Sequence, residues 1–129
     1  MAKTVKLPQN AGRGDDAPRA VFSAKIDAGK SVSEVINPSG ATIVGIIVPA
    51  GWTAARIQFE TSVDGTTWYT IKTQTGEIPQ VTGITGAGAY AVPVGPLLAG
   101  VFIRIASVND GGLPVNQVSA AALQVVAVQ

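Results

Sequence analysis

The sequence predicts an all-β protein: an antiparallel β-sandwich or jelly-roll of about eight strands, preceded by an extended N-terminal arm. Apolar segments rich in valine, isoleucine and threonine recur along the chain, and turn-forming residues separate them roughly every 8–12 residues. No segment keeps a helical period over its length. At 129 residues, the chain has the length of one domain with its own hydrophobic core.

The predicted arm comprises residues 1–18, and the predicted β-sandwich domain comprises residues 19–129. The arm contains two prolines, two glycines and little hydrophobic periodicity. Its apolar surface is too small to offset the backbone entropy lost on ordering, so we expect it to be mobile in isolation.

Three strand-like segments open the domain. Residues 20–26 form the first, and residues 29–40 contain spaced valines and end in a Pro-Ser-Gly turn. Residues 41–49 are a continuous run of mainly β-branched side chains bounded by Gly40 and Pro49, which predicts a buried strand.

A hairpin is predicted next. In residues 53–61 apolar and polar side chains alternate, which predicts an antiparallel strand with one face in solvent. Residues 66–73 form its partner, because the pair Asp64-Gly65 between the two segments is a strong hairpin signal.

The remaining strands are shorter or lie at edges. Residues 76–88 form a Gly-rich loop with a short edge strand at 78–81, and a proline restricts residues 89–94 to an edge. Residues 100–108 alternate strongly and end in a turn. Residues 117–129 permit a helical start, but their β-branched end favours a strand.

The composition argues against catalysis. The chain has no cysteine and no histidine, which removes disulfides, thiolate chemistry, the commonest metal ligand and the commonest general base near neutral pH. We therefore expect a protein that is not an enzyme, with no metal, no cofactor and no small-molecule ligand.

The charge pattern favours a protein partner. Charged residues make up 13% of the chain, against about 25% in typical soluble domains, and weakly charged surfaces are often covered by partners. The net charge of +1 is too small for nucleic-acid binding. No apolar run predicts a membrane-spanning helix, and the first residues lack the apolar core of a signal peptide.

Three short motifs invite a functional interpretation, and each has a simpler explanation. Asp64 could belong to a calcium site, but a turn in which Gly65 has positive φ and Asp64 bonds to the backbone explains the pair better. The Gly-rich residues 83–88 lack the lysine and following helix of a phosphate loop. The "RGD" at 13–15 matches an integrin-binding tripeptide, which chance occurrence in a polar loop explains better.

Three aromatic residues are candidates for a sugar-stacking platform: Trp52, Trp68 and Tyr69. Trp68 and Tyr69 are neighbours on a strand and point to opposite faces, so they cannot form one flat platform. We expect one of the two to lie in the core and the other to contact a partner. If Trp68 is the core residue, Trp68→Ala should cost about 3–5 kcal/mol.

The last segment predicts self-association. Residues 123–128 are apolar on both alternating faces. A strand buried on both faces needs cover from each side, and a two-layer monomer supplies only one, so we expect a homo-oligomer.

Residues 43–71, read together with 102–107 and 114–126, resemble small structural proteins of tailed bacteriophages. The shared outline is an apolar strand, a "P-x-G-W-T" corner and the hairpin "I-x-F-x-x-S-x-D-G-x-T-W", followed by an "R-I/L-x-S" strand and a closing strand. The resemblance covers residues 41–128 and leaves the arm out. The hairpin is also similar to discoidin-like and carbohydrate-binding β-sandwiches.

This resemblance implies a non-enzymatic virion component, made in the host bacterial cytoplasm. The role we expect first is a capsid decoration (cement) protein, bound to the major capsid protein or another virion protein as a homo-oligomer, with a trimer favoured. A tail, neck or fibre component is one alternative. A glycan-binding β-sandwich module for host attachment is another. No nucleic-acid or membrane partner is expected.

The residues expected to contact a partner combine basic, apolar and aromatic side chains. They are Lys3, Val5, Lys6, Leu7, Arg13, Arg19, Trp52 and Tyr69. Because most of them lie in the arm, we expect the arm to order on assembly, as a strand added to a neighbour.

Overall fold

The computed structural model describes residues 19–38, 40–92 and 102–128. Within these residues the protein is all-β, with two antiparallel sheets and no helix, which confirms the predicted fold class at that level. The eight strands are β1 (Arg19–Ile26), β2 (Thr42–Val48), β3 (Arg56–Ser62), β4 (Tyr69–Thr70), β5 (Gln80–Val81), β6 (Gly88–Ala91), β7 (Phe102–Val108) and β8 (Ala121–Val128).

The predicted arm lies outside the described residues. The same holds for the five arm residues that the sequence marks as partner contacts, which are Lys3, Val5, Lys6, Leu7 and Arg13.

Sheet 1 contains four strands in the order β1-β8-β2-β6. β8 lies between β1 and β2, and its full length pairs with β1 from Arg19↔Val128 to Ile26↔Ala121. β8 is therefore an inner strand, as its β-branched composition favours. The helix that the sequence permits at its start is absent from the described chain, which is extended from Ala121 onwards.

Sheet 2 is built on β3. One edge of β3 pairs with the whole of β7, and its other edge pairs with the short strands β5 and β4. Residues 31–36 line the far side of β7 through the bridges Val32↔Ala106 and Ile36↔Ile103. The stretch from Val32 to Ile36 is one residue longer than the stretch it opposes. It therefore bulges, and the segment predicted as a strand at 29–40 is irregular.

Both sheets contribute side chains to one hydrophobic core. Most of its members are β-branched, and burying each stabilises the fold by about 1.5–3 kcal/mol. The buried members are Ala24, Ile26, Ile36, Ile43, Ile46, Val48, Ile57, Phe59, Ile71, Val81, Val92, Ile103, Ile105, Leu123, Val125 and Ala127.

β2 differs from the buried strand that its apolar run predicts. Ile43, Ile46 and Val48 are buried, but Val44 and Ile47 are each 38% exposed. The pairing register with β8 shifts between Ile43 and Gly45. This bulge lets Ile43 and Ile46, three residues apart, both face the core. The other apolar side chains then face outwards, where no described element covers them.

The polar face of β3 is more buried than the sequence predicts. Its polar face was predicted to be solvated, yet Gln58 is only 6% exposed, and Arg56 and Glu60 are half-buried. Gln80 of β5 covers this face, since its Nε2 donates to Gln58 Oε1 at 3.1 Å. The hairpin to β4 is also wider than the tight turn predicted, because Thr61 pairs with Tyr69 and the chain between them forms a loop.

Candidate interaction surfaces

The outward-facing side of sheet 1 is apolar and open within the described chain. Val21 is 60% exposed, and Val44 and Ile47 are each 38% exposed. The register places Val21 beside Val126 and Ile47 beside Gln124, so the exposed side chains adjoin one another. The residues of this surface, called the outer face below, are Arg19, Val21, Ser23, Lys25, Thr42, Val44, Ile47, Ala89, Ala91, Ala122, Gln124, Val126 and Val128.

The charges of the outer face all lie on β1, at one side of the surface. Arg19 and Lys25 are exposed there, and none of the outer-face residues is acidic. Lys25 Nζ lies 3.5 Å from the Asp27 carboxylate at the end of the strand. The surface is therefore a mainly apolar patch with a basic border, which suits an apolar partner surface better than a small polar ligand.

The loop around Asp64 is a hydrogen-bonded turn. Gly65 has φ +82°, and Asp64 Oδ1 accepts bonds from the N–H groups of Thr66 and Thr67 and from Ser62 Oγ, each at 2.9 Å. These bonds, with Thr67 making the largest contribution, hold the pKa of Asp64 well below its usual range. The predicted turn is confirmed, because Gly65 has positive φ and the Asp64 side chain bonds to the backbone.

The polar face of sheet 2 carries a layer of paired charges. Arg104 Nε donates to Glu60 Oε1 at 2.6 Å, and the Trp68 ring centroid lies 4.4 Å from the guanidinium carbon. Arg56 joins the same layer through Gln80 Oε1 at 3.2 Å and through Asp110 at 3.2 Å. Arg56 and Arg104 therefore both have partners within the chain.

An open cleft of about 670 Å³ lies beside this layer. Its walls include Gln58, Trp68, Tyr69, Lys72 and Ile78. A glycan platform of the kind considered above needs several exposed aromatic rings on one side. All seven aromatic residues of the chain are described, and Tyr69, at 66% exposure, is the one that is exposed. Trp68, which is half-buried, and Tyr69 are the two aromatic side chains in the wall of the cleft.

The prediction that Trp68 or Tyr69 belongs to the core is wrong. Tyr69 is exposed, and Trp68 is half-buried above Arg104 on the polar face of sheet 2. Trp68 precedes β4, and its ring lies over Arg104 of β7. Tyr69 pairs with Thr61 near the end of β3, and Ile71, two residues further on, is the side chain of this segment that enters the core.

The other two described candidates, Arg19 and Trp52, lie on different elements from Tyr69. Arg19 is exposed at the start of β1. Trp52, in the corner between β2 and β3, is half-buried against the core, and its Nε1 donates to the carbonyl of Ala55 at 3.3 Å. The structure shows no contact that would join these three residues into one site.

Gln117 is a structural residue that sequence reasoning did not single out. Its side chain is fully buried, with Oε1 accepting from the Thr53 N–H at 2.8 Å and Nε2 donating to the Thr53 carbonyl at 3.2 Å. The side-chain amide of Gln117 thus bonds both main-chain groups of Thr53, as a residue of a neighbouring strand would. The sequence around Gln117 does not predict these hydrogen bonds, because Thr53 lies far away along the chain.

Comparisons with known proteins returned no match: no protein family, no curated protein and no solved structure is similar to the chain. Across the described ranges, no three acidic side chains are grouped as a metal site would require. No helix in those ranges has the length and apolarity needed to cross a membrane.

Proposed function

We propose that this chain is a non-enzymatic structural protein of a tailed-bacteriophage virion, and that it decorates the capsid as a homo-oligomer. In this proposal the two sheets form a β-sandwich of the jelly-roll type, and the outer face of sheet 1 lies against the capsid lattice. The attachment stabilises the particle by joining neighbouring capsid subunits.

The observation that carries this proposal is the apolar outer face of sheet 1. Typical antiparallel sheets place polar side chains on the side away from the core. Here β2 places Val44 and Ile47 on that side, and β1 and β8 add Val21 and Val126. Covering such a surface with a partner removes apolar area from water, at about 25 cal/mol per Å².

The charge distribution supports the same proposal. A chain with 13% charged residues has few groups that must stay hydrated, so a large part of its surface can be covered at low cost. The basic border formed by Arg19 and Lys25 adds attraction to an acidic or polar neighbour. Location in the virion follows from this role.

Binding to purified particles tests the proposal. Particles stripped of the chain should bind it in a sedimentation assay, and Ile47→Lys should lower the affinity at least tenfold by placing a charge in the covered patch. Val63→Lys is the matched control, because Val63 is 74% exposed in the Asp64 loop, away from sheet 1, and should leave binding unchanged. Equal binding by both variants would contradict attachment through the outer face.

A tail, neck or fibre component remains the alternative within the virion, since the same apolar face would serve in any of these places. Immunogold labelling of intact particles separates the two. Label on the head supports decoration, and label confined to the tail or neck contradicts it.

A further inference from the structure

Among the described residues, no strand pairs with the outer edge of β1. β1 is the end strand of sheet 1 and pairs with β8 alone. The Lys25 N–H donates to Glu34 Oε2 at 3.1 Å, and the Lys25 carbonyl accepts from the Glu34 N–H at 2.9 Å. The main-chain groups of Lys25 therefore point away from β8.

This direction fixes the other residues of the edge. In an antiparallel strand the N–H and C=O of one residue point to the same side, and the side alternates from residue to residue. Arg19, Val21 and Ser23 therefore also present both main-chain groups to the edge. Within the described residues, none of these groups has a hydrogen-bond partner.

In sheet 2, the edge of β7 that faces away from β3 is covered by another segment of the chain. Residues 31–36 bond to the far side of β7, at Ile103, Ile105 and Ser107. On β1 the part of the chain that the structure describes supplies such protection at one end, through the bonds between Lys25 and Glu34. Exposed strand edges favour pairing with another chain unless they are covered or charged.

We propose that β1 pairs with β1 of a second copy of this chain, antiparallel across a two-fold axis normal to sheet 1, with Val21 opposite its own counterpart. The contact deepens the proposed function, because it rests on self-association and names the edge that mediates it. The two sheets then form one continuous sheet, and the two outer faces form one surface of twice the area.

The register follows from the edge groups and the charges. With Val21 on the axis, Arg19 lies opposite Ser23 of the second copy, and the three outward residues make about six backbone hydrogen bonds, two for each bonded pair. Shifting the axis to Phe22 leaves about four bonds and sets Arg19 opposite Lys25, which repel each other. Shifting it to Ala20 also leaves about four among the described residues.

The edge chemistry favours a second copy over an unrelated partner. The central residue is aliphatic and neutral, and the basic residue Arg19 faces a serine, so the edge is complementary to itself. An isologous contact of this kind closes after two copies instead of growing into a fibre. It predicts an even number of copies, which departs from the trimer that the phage resemblance implies.

Cysteine cross-linking tests the register, because the chain has no cysteine of its own. Val21→Cys places two thiols on the axis, at a Cα separation of about 5.5 Å that suits a disulfide. Ser23→Cys is the matched control, since in this register the two introduced thiols lie about 14 Å apart along the strands. We expect a disulfide-linked dimer from the first variant at least tenfold faster than from the second.

Light scattering on the full-length chain tests the contact itself. The wild type and Val44→Lys should both have twice the 13.1 kDa chain mass. Val21→Lys should have the monomer mass, because two introduced lysines face each other on the axis. Val21→Pro removes an outward N–H without removing a bond to β8, so it should also be monomeric while keeping its β-sheet circular dichroism.

Three results would overturn the inference. The first is a monomeric wild type, which is also the result expected if residues 1–18 of the same chain cover the edge. The second is equal cross-linking of the two cysteine variants. The third is self-association of Val21→Lys as strong as that of the wild type. The particle-binding assay is independent of all three. A chain that binds particles but fails these tests therefore loses the β1 contact, while the proposed attachment to the capsid through the outer face stands.

Discussion

At the scale of single residues, the Asp64 carboxylate organises the loop between β3 and β4. It accepts two backbone N–H groups and one hydroxyl, and the ionised form is the better acceptor for all three. Because these bonds lower its pKa in the folded chain from the ordinary 3.8, the charged carboxylate stabilises the fold above that value. The stabilisation is lost as the pH falls further and the carboxyl group takes up a proton.

Thermal unfolding across a pH series checks this role of Asp64. Asp64→Asn keeps an acceptor oxygen but no charge, so it should have a lower melting temperature than the wild type at pH 7. The difference should shrink as the pH falls below about 4. A pH-independent difference for Asp64→Asn would contradict the electrostatic explanation.

Trp68 gives a second prediction at this scale. Its half-buried ring contacts Arg104, so the loss on Trp68→Ala comes from one cation–π contact and part of the ring area. We expect destabilisation of about 1–2 kcal/mol, below the 3–5 kcal/mol that a core position implies. Urea denaturation measures it. The Trp68→Ala effect should also fall when Arg104 is replaced by methionine, and an unchanged effect would exclude coupling between the two residues.

At the scale of elements, the longer strands were predictable from the sequence, but the irregular segment at 29–40 and the faces of β2 and β3 were not. The alternation in residues 100–108 predicts β7, and Ile103 and Ile105 indeed share the core. The faces of β2 were not predictable, because a bulge near Gly45 changes which apolar residues point inwards. The covered polar face of β3 depends on Gln80, whose partner Gln58 lies far away in sequence.

Of the three hydrogen bonds between Thr53 and the segment before β8, the buried Gln117 amide makes two, and the Val118 N–H makes the third with Thr53 Oγ1. Gln117→Leu should leave the Thr53 N–H and C=O buried without partners, at a cost of about 2–3 kcal/mol in the free energy of unfolding. Gln124→Leu is the matched control, since Gln124 is exposed on β8, and its effect should stay within about 0.5 kcal/mol. Equal effects of the two substitutions in urea denaturation would show that the Thr53 contacts do not stabilise the fold.

At the scale of the whole molecule, the two surfaces of sheet 1 act together in the proposed assembly. Pairing through β1 brings two outer faces side by side on one surface, and simultaneous engagement of both strengthens attachment without any new contact. The sequence predicted self-association from the apolar alternation of residues 123–128. It could not predict which edge is open, because that depends on β8 lying between β1 and β2.

The arm adds a further prediction at this scale. Deleting residues 2–18 should leave the β-domain folded, as judged by an unchanged melting temperature, and should weaken attachment to particles. The basic and apolar residues Lys3, Lys6 and Leu7 supply the reason, since they suit an extended strand laid along a neighbour. If the shortened chain binds particles as tightly as the full chain, the body surface carries the whole interaction.

An electron-microscopic reconstruction of the native particle tests the central claim most directly. The account predicts density for this chain on the outside of the capsid, with Val44 and Ile47 turned towards the lattice and β1 at a contact between two copies. Density with the outer face of sheet 1 turned to solvent, or a particle that lacks the chain altogether, would contradict it.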